Sequence, residues 1–186
     1  MHAVESPPKI ESTALNHFLR RLRQYRGEGE WVSTLLDGVS QFVEQAAVFA
    51  IEGGELRLRG KSNLDIAEDL AFPISSAGAF QAAIDSKDPV VTLRTAGEVT
   101  KILSTPNPNE RAHIVPIVNG PRVVAVLFAA RHDQDVDVNA LELIVGMASI
   151  VLERQSNVSL HSQIATPLSR SEQPPRELNL GAGYSG

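Results

Sequence analysis

The chain has 186 residues, of which 42% are hydrophobic, and a formal charge of −5 at pH 7. That length and apolar content fit one domain with tails and a single real core, and the mild negative charge argues against nucleic acid as the main partner. The chain contains no cysteine, which excludes disulfides, thiolate nucleophiles, thiolate metal sites and thioether-linked chromophores together.

In chain order, residues 1–10 are polar, carry Pro7 and Pro8, and read as a disordered arm. The opening MHAVESPPKIES lacks the basic-then-apolar pattern of a signal peptide. No apolar run anywhere approaches the ~20 residues that a membrane span needs, so the expected location is cytoplasmic. Residues 11–27 read as an amphipathic helix: Leu15, Phe18, Leu19 and Leu22 share one face, with Ser12 or Thr13 as cap. GEGE at 27–30 interrupts the chain, and Trp31, Leu35, Val39, Phe42 and Val43 form the stripe of a second helix.

AAVFAIEGGELRLRG then reads as a hairpin turning at Gly53-Gly54, apolar on both faces going out. On the way back, Leu56 and Leu58 alternate with Arg57 and Arg59. After a polar stretch at 61–70, residues 72–74 read as a short strand. Ser76 is placed to cap a helix that buries Phe80, Ala83 and Ile84 and ends at Asp88-Pro89, and PVVTL follows as a strand. Thr95 and Glu98 have capping-box spacing for a short helix with Val99, Ile102 and Leu103 inside. After a loop at 104–110 comes a second hairpin, AHIVPIVNGPRVVAVLFAAR, with its turn at Asn119-Gly120. In it Pro116 predicts an edge or a bulge.

The acidic connection at 131–137 leads to a last helix, for which Asn139 and Glu142 suggest a capping box and Val138 and Leu143 a hydrophobic staple. That helix carries an inner stripe, Leu141, Ile144, Val145, Ala148, Val151 and Leu152, and an outer one, Leu143, Met147 and Ile150. A helix apolar on two sides must touch two things. From residue 156 the periodicity is lost, and 156–186 reads as a flexible C-terminal tail. Hairpins flanked by helices make an α+β domain with one largely antiparallel sheet.

At HIVPIVNGPRVVAVLFAAR, with WVSTLLDGVSQFVEQAAVFAIEGGELRL before it and DVDVNALELIVGMASIVLERQ after it, the chain resembles a GAF domain. The likeness spans residues 28–155. It implies a GAF-like (profilin-like) central antiparallel sheet of about five to six strands flanked by helices. PAS-like and other profilin-like sensor domains have similar element content. Ala125 stands where many family members have glycine. The Asn-Lys, Phe and Asp-Glu signature of cyclic-nucleotide-binding members is missing around Asn63 and Phe72. The cysteines of bilin-binding and methionine-sulfoxide-reducing members are missing as well.

Catalytic and metal patterns fare poorly. His113 can hydrogen-bond a ligand, but its plainer reading is a half-buried strand histidine satisfied by backbone, and no second metal ligand lies at i+2 or i+4. Asp133, Asp135 and Asp137 open like a calcium loop. That loop needs Gly at its sixth position and Glu at its twelfth, where Val138 and Ile144 stand. Arg20, Arg21, Arg23 and Arg26 make the first helix basic, most simply as a solvated face. Neither a Gly-x-Ser-x-Gly elbow nor a phosphate loop is present. No catalytic residues, metal or cofactor are expected.

The resemblance implies a ligand pocket between the sheet and residues 72–105, with Phe72, Ser75, Phe80, Thr92 and Ile102 as candidates and His113 on a neighbouring strand. It is also consistent with a homodimer through the first and last helices, with Leu15, Phe18, Leu22, Leu143, Met147 and Ile150 at the seam. The expectation is a non-enzymatic sensory or regulatory domain that binds an unidentified small molecule or a partner and signals through that helical interface. A signalling protein partner would carry the output domain. The alternatives are a ligand-free dimerisation scaffold and, disfavoured by the missing cysteines, an enzyme on the same fold.

Overall fold

A computed structural model describes residues 12–93, 97, 111–131 and 136–164. The expected arm at 1–10, the Thr95–Leu103 helix with Ile102, the loop at 104–110, His132, Asp133 and Asp135, and the tail past 164 lie outside the described residues.

Two helices come first, α1 (Ser12–Arg23) and α2 (Glu28–Val39), then the hairpin β1 (Gln45–Glu52) and β2 (Glu55–Ser62). The short β3 (Ala71–Pro73) leads through a 3-10 turn at Ile74–Ser76 into α3 (Gly78–Ser86). Strand β4 (Val90–Leu93), the hairpin β5 (Arg111–Asn119) and β6 (Arg122–Ala130), and α4 (Val138–Ile164) complete the chain. The strands form one antiparallel sheet in the order β3-β2-β1-β6-β5-β4. This is the expected α+β architecture with its central antiparallel sheet.

Alternation along the strands sends side chains to two faces, and each face has its own core. On one side Ala46, Val48, Val115, Ile117, Leu127 and Ala129 pack under α1, α2 and α4. On the other Ala47, Phe49, Leu56, Leu58, Ile114, Val126 and Phe128 pack with Phe72, Phe80 and Ala83 of the β3–α3 segment. The central strands are therefore apolar on both faces. Strand β2 keeps Leu56 and Leu58 buried and Arg57 and Arg59 exposed, as its alternation predicts. Those arginines bind Glu52, Glu55 and Glu28 in surface ion pairs, which contribute little to stability.

Helix α2 lies close on the sheet because Gly60 of β2 has no side chain: a Cβ there would stand 2.5 Å from Val32 Cγ1. Helix α1 packs on α2 in the same way, with the Phe18 ring against Gly38. The start of α2 falls inside GEGE, where the Glu30 carboxylate accepts the Arg26 N–H at 2.8 Å.

Four local expectations are corrected. The α4 cap is Asp137 rather than Asn139: its Oδ1 accepts the Ala140 N–H at 3.1 Å, so the helix starts two residues earlier. Helix α3 takes Ala77 rather than Ser76 as its N-cap residue, and the Ser76 hydroxyl donates to the Pro73 carbonyl at 2.8 Å. In the second hairpin Asn119 pairs with Arg122, so the turn's central residues are Gly120 (φ 58) and Pro121 rather than Asn119-Gly120. Proline cannot take the second positive φ of a type I′ turn, whereas glycine first is the type II′ arrangement. Finally, α4 runs to Ile164, so its last nine residues belong to the stretch from 156 that loses apolar periodicity. Pro116 sits next to a register shift at Ile117/Val118, on a part of β5 that β4 does not reach.

Candidate functional site

On the α3 side, Phe72 enters from β3, Phe80 from α3 and Phe49 from β1. Their rings meet edge to face, with centroids 5.5 Å apart for Phe49–Phe72, 5.8 Å for Phe49–Phe80 and 5.6 Å for Phe72–Phe80. This geometry suits aromatic quadrupoles. All three rings are buried. Phe49, hidden in an unbroken apolar run, was not among the residues expected to line a pocket.

Thr92 shares this face, half-buried opposite Ala112. Ser75 is exposed in the 3-10 turn that follows Phe72. His113 is different. It pairs with Ala129 and precedes Val115 by two residues, and both of these belong to the helix-side core. His113 is buried at 5% exposure, across the sheet from Phe72, Phe80 and Thr92. The structure thus brings Phe72 and Phe80 together, leaves Thr92 on the same face but on the opposite edge strand, and places His113 on the other face.

On the helix side, two of the expected interface residues are already used within the chain. Phe18 and Leu22 are buried in the core shared with α2 and α4, and Leu15 packs against it half-buried. The outer stripe of α4 is left over: Leu143 is 46% exposed and Ile150 66% exposed, with Met147 half-buried between them. Beside that stripe a groove of about 720 Å³ opens between α1 and α4, lined by Leu19, Arg23, Met147, Ile150, Val151, Arg154 and Gln155. Sequence reading reached Met147 and Ile150 only as a dimer seam and did not reach Arg154 at all.

Hydrogen bonds hold α4 in place on the far side of this groove. The Ser149 hydroxyl accepts the Val118 N–H at 3.1 Å, and the Ser156 hydroxyl accepts from the Asn119 amide at 3.0 Å. The wall of the groove is thereby tied to the β5–β6 hairpin. Against the helix-side core, burial raises the Tyr25 phenol above its ordinary pKa of 10.0. Among the described residues no cluster of three or more His, Asp or Glu is gathered to hold a metal, and no helix is long and apolar enough to cross a membrane.

No protein-family profile matches the chain, and no curated protein does. Solved structures do. Residues 122 to 287 of a methyl-accepting chemotaxis protein superimpose with a TM-score of 0.64 at 15% identity, over 78% of this chain and 99% of that segment. The A. aeolicus nlh2 GAF domain in an inactive state gives 0.55 at 16% identity, over 79% and 95%. The phycocyanobilin-bound GAF domain of a cyanobacterial phytochrome gives 0.60 at 15% identity, over 80% and 96%. The chain has the GAF fold, and likeness at such identities speaks for the fold alone.

Proposed function

We propose that the chain is a cytoplasmic, non-enzymatic regulatory domain that binds a small molecule or partner and passes its state on through a homodimeric contact of the helical face. The observation that carries this reading is the leftover stripe on α4. Leu143 and Ile150 stand two turns apart on the outer side of a helix whose inner side is already satisfied by the sheet. Large apolar side chains in such a line are buried at little cost by a second helix. Output would lie on a signalling partner. The fold is consistent with this role, since similar structures include a chemotaxis protein and the GAF domain of a two-component sensor histidine kinase.

A second reading, a ligand-free dimerisation scaffold, is favoured by the Phe49–Phe72–Phe80 cluster, because two of the expected pocket residues, Phe72 and Phe80, are engaged in core contacts. Light scattering on the purified chain tests the dimer common to both. The expected result is a dimer that Ile150→Glu converts to a monomer with unchanged circular dichroism. A monomer at high concentration, or an Ile150→Glu dimer, defeats the reading. A thermal-shift screen against metabolites separates the two, because a ligand of the native state must raise its stability.

A further inference from the structure

We propose that the groove between α1 and α4 is a binding site for a small amphiphile with an aliphatic body and a carboxylate head. Its volume, about 720 Å³, lies in the ~300–1,000 Å³ range of small-molecule sites. Its walls are Leu19 on α1 and Met147, Ile150 and Val151 on α4, and its cations are Arg23 and Arg154. Each helix contributes the same pair, an apolar residue followed one turn later by an arginine: Leu19 with Arg23, and Ile150 with Arg154. Residues at i and i+4 lie on one helical face, so both faces offer hydrocarbon and then a guanidinium.

Neither Arg23 nor Arg154 has an ion-pair partner among the described residues, whereas Arg21 is held by Asp37 at 2.9 Å. A guanidinium presents a planar fork of donors that fits a carboxylate two bonds at a time. An aliphatic chain would cover Ile150, which is otherwise 66% exposed. The groove is concave and walled by two helices, which suits one chain rather than a bilayer surface. A second copy docked groove to groove would bring its own Arg23 and Arg154 to the same interface as these, so twofold self-pairing belongs to the outer line of Leu143 and Ile150.

Ile150 belongs to both surfaces. Occupation of the groove and pairing of α4 are therefore linked, and each must weaken the other to the same extent. The existence of the site does not rest on the proposed dimer; only this consequence for assembly does.

The test is titration calorimetry of the full chain with sodium decanoate below its micelle concentration, with decanol as the neutral control. The expected result is saturable one-to-one binding, weaker for decanol. Removing charge-assisted hydrogen bonds in Arg23→Gln/Arg154→Gln should weaken it by about tenfold or more. Both arginines are exposed, so the fold should survive, and Arg154→Glu gives a second, independent loss. No binding of decanoate, equal binding of decanol, or affinity untouched by the arginine variants overturns the proposal. Binding only to vesicles of mixed phosphatidylcholine and phosphatidylserine overturns it in favour of a membrane surface. Light scattering in the same samples separates the two readings. Arginine-dependent binding to a chain that is already monomeric without decanoate upholds the site and defeats the dimer, whereas a dimer that decanoate neither binds nor dissociates upholds the dimer and defeats the site.

Discussion

Gly38 is the next-to-last residue of α2, and an alanine there sets two effects of opposite sign against each other. Alanine is favoured over glycine inside a helix by ~1 kcal/mol. Its Cβ, however, would stand 2.4 Å from Phe18 Cε2 and 2.7 Å from Phe18 Cδ2. Carbon atoms rest at ~3.5–4.0 Å, so the ring must retreat by roughly an ångström or more. Overpacking of this kind costs ~1–3 kcal/mol. The ceiling is the cost of lifting α1 altogether. That would expose Phe18 and Leu22, now 8% and 0% exposed, at ~1.5–3 kcal/mol for each side chain. The clash is the cheaper route, so Gly38→Ala should destabilise by ~0–2 kcal/mol net. The decisive measurement is a double-mutant cycle in urea, followed by circular dichroism. With the ring gone, in a Phe18→Ala background, the same Gly38→Ala change should stabilise by ~1 kcal/mol. If Gly38→Ala stabilises the chain that retains Phe18, or has the same effect in both backgrounds, the packing of α1 on α2 is not as described.

Phe80→Ala removes one ring of the buried aromatic triad and should cost ~3–5 kcal/mol in urea unfolding; a cost below ~1 kcal/mol would mean that the α3 side is not packed as a core. Asp137→Ala deletes the α4 cap and should cost ~1 kcal/mol, with Asp137→Asn restoring most of it, whereas Asn139→Ala should be nearly neutral. Because burial raises the Tyr25 pKa in the folded state above its ordinary 10.0, the folded chain holds that proton more tightly than the unfolded one. This contribution is present below about pH 10 and is lost as pH rises through the folded pKa. Unfolding followed against pH should show stability falling there, and Tyr25→Phe should flatten that slope; an unchanged slope in the variant contradicts it.

Much of the fold was legible because it is written in short periods. The i, i+3, i+4, i+7 spacing of Leu15, Phe18, Leu19 and Leu22 and the alternation of Leu56 and Leu58 with Arg57 and Arg59 name their elements without reference to anything distant. Both hairpins were legible from their glycines: Gly53 and Gly54 have φ of 58° and 85°, the positive region that favours glycine. Frames were harder. Asp137 and Asn139 are both good caps, and which one serves depends on where the chain leaves β6. Asn119-Gly120 and Gly120-Pro121 are both plausible turn centres, and the pairing of Asn119 with Arg122 decides between them.

The candidate site was the least legible part. Alternation states that His113 shares a side with Val115 and Ile117, but not which side of the sheet that is. The answer depends on where helices distant in sequence come to rest, and α4 rests on that side. The two apolar stripes of α4 were equally plain in sequence, yet only packing decides that the inner one meets the sheet while Leu143 and Ile150 remain outside. For the same reason Phe18 and Leu22, readable as a seam for a second chain, are used by α2 of their own chain. That Arg23 and Arg154 line one groove had no local signal, since the two are 131 positions apart and share it only because α1 packs beside α4. Local periodicity thus determined the elements and their apolar faces, which depend on backbone geometry over a few residues. Tertiary structure alone decided what each face meets, because burial is a property of pairs of elements.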